Sequence, residues 1–180
     1  GVKGEELIRA TTVDDVYSVI GLGRNMIING DMRIDQRNNG SSVTSIGNSY
    51  TIDRWRGQFD SSRTTIVRDT DAPAGFTNSL KVTCTTASSS GQSFIVQAVE
   101  GYNMSQLAYG SSSAKATTLS FWVKSSIPGQ YTATLEDSAG TRCYAAPYNI
   151  NVANAATYIC SQFGLSMKPL FLPNANRYPS

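Results

Sequence analysis

Histidine is missing from all 180 residues. Its absence removes Ser-His-Asp and Cys-His catalysis and every zinc site that needs an imidazole. Cysteine is scarce. Cys84, Cys143 and Cys160 form no C-x-x-C pair, and an odd number cannot complete a disulfide framework. One bridge or small buried hydrophobes are the two readings left open to them, the second being the commoner fate of an unbridged cysteine. Charge is sparse too, at 16% of residues, with 15 basic and 13 acidic side chains and a net charge of +2. No Lys/Arg cluster breaks that balance, so no nucleic-acid partner is expected. No apolar run approaches the roughly 18 residues of a membrane-spanning helix. The first residues also lack the basic-then-apolar order of a secretory leader.

What is present is β signal. Leu80, Val82 and Cys84 alternate with Lys81, Thr83 and Thr85. Leu119, Phe121 and Val123 alternate with Ser120, Trp122 and Lys124, and Tyr131, Ala133 and Leu135 with Thr132, Thr134 and Glu136. A period of two is the mark of a half-buried strand. Residues 94–99 form a nearly continuous apolar run, as a central strand would, and residues 50–59 and 64–68 read as two more. Asn29-Gly30-Asp31 is turn chemistry, residues 38–49 read as an exposed loop, and Pro128-Gly129 suits the centre of a type II turn. Asp137 to Gly140 closes a hairpin onto residues 141–146, and Tyr148, Ile150 and Val152 start a further strand. Residues 103–109 form one helical turn or a loop. Short strands at this spacing predict an all-β sandwich or barrel over residues 25–158. Its expected core is Leu80, Val82, Phe94, Val96, Leu119, Phe121, Val123, Tyr131 and Leu135.

Both ends read differently. In residues 1–24, Thr11 or Thr12 can cap a short helix whose Val13, Val16, Tyr17 and Ile20 fall on one face. Two to three turns do not hold alone in water, so that stripe packs on its own sandwich, on a neighbouring subunit or on another protein. Residues 159–180 carry Pro169, Pro173 and Pro179 and read as an irregular tail. Either residues 165–172 supply a closing strand, or the sandwich is open at one edge and a partner chain completes it by strand addition.

Candidate chemistry is thin. Asp31, Asp35, Asp53 and Asp60 lie near the first strands. Paired carboxylates can serve acid–base chemistry on sugars, but turn formation and a local salt bridge of Asp53 with its neighbours are the ordinary reading. No cofactor is expected. A structural calcium held by these Asp oxygens is the one alternative. Trp122 is out of phase with Leu119, Phe121 and Val123 and therefore points away from the core. It can stack on a sugar ring, or lie under a loop or at a subunit interface, where Trp is enriched. Tyr144, Tyr102 and Tyr109 are weaker candidates, and Trp55, in phase with Gly57 and Phe59, reads as core. Gly21-Leu-Gly23 lacks the ending of a phosphate loop, and the Ser runs at 88–90 and 111–113 have no base beside them.

Three phrases stand in one order: Asn25-Met-Ile-Ile-Asn-Gly-Asp-Met-Arg-Ile-Asp-Gln-Arg37, Tyr50-Thr-Ile-Asp-Arg-Trp-Arg56 and Leu119-Ser-Phe-Trp-Val-Lys-Ser-Ser126. Together they resemble the β-sandwich modules of tail-fibre and other virion-surface proteins of tailed bacteriophages, which are similar to jelly-roll carbohydrate-binding modules. The similarity spans about residues 25–152. It implies a jelly-roll-like sandwich, a homo-oligomer that is often a trimer, and a place on the particle surface, in the tail or the head. On that resemblance the chain is a non-enzymatic structural component of a phage virion, a tail fibre or its virion-proximal part. It would attach to other virion proteins through Val13, Val16, Tyr17 and Ile20. Any host-surface glycan would meet Trp122 and Tyr144. A capsid decoration or head-fibre protein and a free glycan-binding module are the rival readings.

Overall fold

A computed structural model describes residue 11 and residues 25–44, 47–59, 64–86 and 93–163. The helix and attachment residues expected before residue 25 therefore lie outside the described residues, as do Asp60, Ser88 to Ser90 and residues 164–180. Among the described residues, ten strands pair in four sheets, every pairing antiparallel, so the fold is all-β. Compactness divides the chain into two units, Gly1–Met104 and Ser105–Ser180, where the sequence suggests one domain over residues 25–158. No helix among the described residues is long and apolar enough to cross a membrane.

The first unit holds six strands: β1 (Val43–Thr44), β2 (Gly47–Tyr50), β3 (Arg56–Phe59), β4 (Thr64–Asp69), β5 (Ser79–Cys84) and β6 (Ser93–Val96). They form two three-stranded sheets, ordered β1-β4-β5 and β2-β3-β6. A short helix, α1 (Gly101–Met104), ends the unit. The strand expected over residues 50–59 is instead a hairpin. Thr51 N donates to Trp55 O (3.0 Å) and Trp55 N to Ile52 O (3.1 Å). Arg54 takes a left-handed φ of 75° to turn the chain. Residues 38–49, expected as loop, are part strand: β2 forms one arm of this hairpin and β1 pairs with β4.

Burial follows sheet position. Ile52, Phe59 and Ile66 are buried. Ile66 lies on β4, the central strand of its sheet, and Phe59 on β3, the central strand of the other. Val82 and Phe94, expected in the core, are 43% and 40% exposed. Both sit on edge strands, β5 and β6, which among the described residues have a neighbour on one side only. Leu80 and Val96 are half-buried. Residues 94–99 are thus not a central strand.

The second unit opens with a 3-10 turn, Ser105–Leu107, so residues 103–109 are helical in part. It then forms β7 (Thr117–Val123), β8 (Gly129–Glu136), β9 (Cys143–Ile150) and β10 (Thr157–Phe163). β7 pairs with β10, and β8 with β9. β10 crosses the expected start of the irregular tail at residue 159. Its half-buried Thr157, Ile159 and Ser161 alternate with exposed Tyr158 and Cys160. Pro128-Gly129 is not a turn centre: the bend falls at residues 126–127, and Gly129 already begins β8.

The strand phases read from the sequence hold in this unit. Leu119, Phe121, Val123, Tyr131, Ala133 and Leu135 all take the inner phase, half-buried. The two sheets meet through aromatic rings. Phe121 on β7 stands edge-on to Tyr148 on β9 at 5.3 Å, and Tyr148 stacks on Tyr131 at 5.9 Å. Tyr131 donates its hydroxyl to Ile127 O (2.7 Å), so the inner ring keeps a polar partner. Burial, then the neighbouring Tyr131, pushes the Tyr148 phenol above its usual range.

All three cysteines are exposed and none is bridged, which corrects the expectation of small buried hydrophobes. Cys84 closes an edge strand, Cys143 opens β9, and Cys160 takes the outer phase of β10.

Asp137 closes the β8–β9 hairpin as the sequence suggests. Its Oδ1 accepts from Thr141 N (2.8 Å) and Arg142 N (3.2 Å), and its Oδ2 from the Thr141 hydroxyl (2.8 Å). The hydrogen bond from the Thr141 side chain, above all, holds this carboxyl below the usual aspartate range. Folding thus favours the charged form. The turn's contribution is complete above the unfolded-state value and fades as pH falls through the lower folded one. Amide exchange at Thr141 and Arg142 should therefore accelerate as pH drops below about 4 relative to the rest of the hairpin. Asp137→Asn should flatten that dependence.

Candidate functional site

The strand register puts two large aromatic rings side by side in the second unit. Trp122 on β7 lies directly opposite Tyr158 on β10. Their ring centroids are 5.3 Å apart with the planes tilted 53°. Trp122 is 44% and Tyr158 53% exposed, on the face away from Phe121. The same face carries the short polar Thr118 and Ser120 on β7 and Cys160 opposite Ser120 on β10, and the exposed Lys124 follows β7. A saccharide matches such a surface, because its CH-bearing face lies on an aromatic ring while its hydroxyls bond to short polar neighbours.

Tyr144 does not join this pair. It shares a face of β9 with Ala146, Tyr148 and Ile150, the face that meets Phe121, and is 40% exposed. Trp122 lies on the opposite side of its own strand from Phe121, so the β7–β10 sheet stands between the two candidates. Tyr109 engages Thr117 through their hydroxyls, and Tyr102 is 90% exposed on α1.

The first two phrases form a polar clamp in the first unit. Asn29, itself at a φ of 55°, donates its amide to Ile34 O (2.8 Å) and Asp53 O (2.9 Å) and accepts from Ile34 N (2.9 Å). The half-buried Trp55 donates its indole N–H to Asn29 O (3.0 Å). Asn38 donates its amide to Thr51 O. Gln97 grips Ile28 twice, accepting from its N–H and donating to its C=O, both at 2.8 Å. Arg54 reaches Glu100 Oε1 at 2.6 Å, which chiefly holds the Glu100 carboxyl below its usual range.

The aspartates are spent within this clamp. Asp35 is buried, accepting from Asn38 N (3.2 Å) and Gly40 N (2.7 Å). Asp53 Oδ2 accepts from Gln36 N (2.5 Å), and the ion pair of Arg54 is with Glu100, not with Asp53. Asp31 pairs with Arg33 at 3.6 Å on the rim of a solvent-open depression that Ile34 also lines. Among the described residues, no three Cys, Asp or Glu side chains gather in a way that could hold a metal ion.

Tyr158 is not among the residues that the sequence singles out. The alternation of Tyr158, Ile159 and Cys160 was its signal, masked by the prolines downstream. Comparison with protein-family models, with curated proteins and with solved structures returns no match.

Proposed function

We propose that this chain is a non-enzymatic structural β-module of a tailed-phage virion, a tail fibre or its virion-proximal part. In this reading it adopts a jelly-roll-like arrangement, attaches to other virion proteins as a homo-oligomer, and meets the host surface by binding. The observation that carries the binding role is the exposed Trp122–Tyr158 pair, which lies in the third of the phage-like phrases and on its partner strand. An enzymatic reading loses support from the aspartates, because Asp35 and Asp53 hold backbone N–H groups within their own loops.

The test has two parts. A labelled chain located on the particle, with its copy number, separates a fibre from a shell decoration. Few copies at the tail are expected, and copies spread over the head would overturn the assignment. Retention on host surface polysaccharide then probes the ring pair. Trp122→Ala and Tyr158→Ala should each weaken retention, on the order of 1–3 kcal/mol by analogy with base stacking. Release of oligosaccharides that stops in Asp31→Asn or Asp53→Asn would show an enzyme instead.

A further inference from the structure

Among the described residues, three cations of the first unit have no acidic partner: Arg37, Arg56 and Arg68, the last of which donates to Arg33 O. Arg33, Arg54 and Lys81 pair with Asp31, Glu100 and Asp69. Arg37 and Arg56 pair with no acid among the described residues. Instead both gather on one ring. The Arg37 guanidinium carbon lies 4.8 Å and that of Arg56 5.9 Å from the centroid of Tyr50. The fold dictates this convergence. Tyr50 and Arg56 are opposite one another in the β2–β3 ladder, and Arg37 lies within the loop that Asp35 closes on Asn38 and Gly40 and that Asn38 ties to Thr51 O. The nearest acidic groups in sequence do not supply the countercharge, since Asp35 and Asp53 accept from backbone N–H groups.

The arrangement is electrostatically incomplete. A ring quadrupole attracts each guanidinium, but only by about 0.5–1 kcal/mol at an exposed site. It does not neutralise either charge. Arg56 is half-buried, and its Nε has no hydrogen-bond partner. Arg37 is exposed and Tyr50 is 49% exposed, so the cluster is open to a ligand. Guanidinium forks match planar or tetrahedral oxyanions. Three side chains cover far less than the roughly 800 Å² that each partner contributes to a stable protein interface. A small anionic group suits the cluster better than a protein does.

We propose that Arg37 and Arg56, positioned by Tyr50, bind the oxyanion of an acidic saccharide, a carboxylate or a phosphate carried on a sugar. The saccharide as source rests on the surface-binding reading above. The oxyanion chemistry rests on the cluster alone.

The test is calorimetric titration of the full chain with three probes. These are a glucuronate-containing oligosaccharide, its carboxyl-reduced neutral form, and a sugar phosphate. At low salt one or both acidic probes should bind about tenfold more tightly than the neutral form, as charge-assisted hydrogen bonds allow. The stronger acidic probe tells carboxylate from phosphate. That preference should shrink as salt rises and vanish in Arg37→Ala and in Arg56→Ala. Arg37→Lys, which keeps charge without the fork, should restore part of it. An unchanged thermal midpoint shows that the exposed Arg37 variants are folded. Equal binding of acidic and neutral probes overturns the proposal, as does a preference that survives loss of both arginines. Trp122→Ala should leave the acidic preference intact, so failure of the ring-pair reading is distinguishable from failure of this one.

Discussion

Phe59→Ala should lower the free energy of unfolding by about 3–5 kcal/mol, the range for deleting a fully buried phenylalanine. Phe59 is 3% exposed on β3, the central strand of its sheet. Its neighbours in register are Gly47 and Ser93. Glycine has no side chain and serine only a hydroxymethyl, so neither can fill the space the ring would leave, which favours the upper half of that range. Urea unfolding measures the change. Phe59→Leu should cost clearly less, because most of the volume stays. A loss under about 1 kcal/mol for the alanine variant would mean that the β2-β3-β6 sheet is not packed as described.

Asp35→Ala should be the next most damaging change, at about 2–4 kcal/mol. The carboxylate is 6% exposed and serves Asn38 N and Gly40 N together. Removing it strands two backbone donors, and each unsatisfied buried group costs about 1–3 kcal/mol. The loop depends on it conformationally as well. Asn39 and Gly40 both have positive φ, 46° and 80°, a pair of turns that needs an outside hold. Asp35→Asn keeps one acceptor and should lose roughly half as much. Hydrogen exchange at Asn38 and Gly40 localises the effect. Fast exchange confined to that loop is the expected result, and unchanged protection would remove Asp35 from its role.

The second unit was the more legible. Alternation in residues 119–124 and 131–136 placed Phe121, Tyr131 and Leu135 inward and Trp122 outward, as found. Side chains on a strand must alternate, so the phase is a local property. The first unit misled where depth depends on sheet order. Val82 and Phe94 sit in β-favouring runs, yet an edge position leaves each partly in water. Residues 50–59 read as one strand because Ile52, Asp53 and Arg54 contain no glycine or proline. The turn there relies on a left-handed arginine.

By itself the sequence determined the all-β class, the inner and outer phases of β7 and β8, and the turns at Asn29-Gly30 and Asp137. These follow from sterics within a few residues. The tertiary structure alone decided which exposed groups meet. Trp122 finds Tyr158, Arg54 finds Glu100, Gln97 finds Ile28, and Arg37 and Arg56 converge on Tyr50. Each such meeting needs a particular strand register or loop closure. Register is set by the packing of a whole face and loop closure by chain entropy, and neither is written in the residues that end up touching.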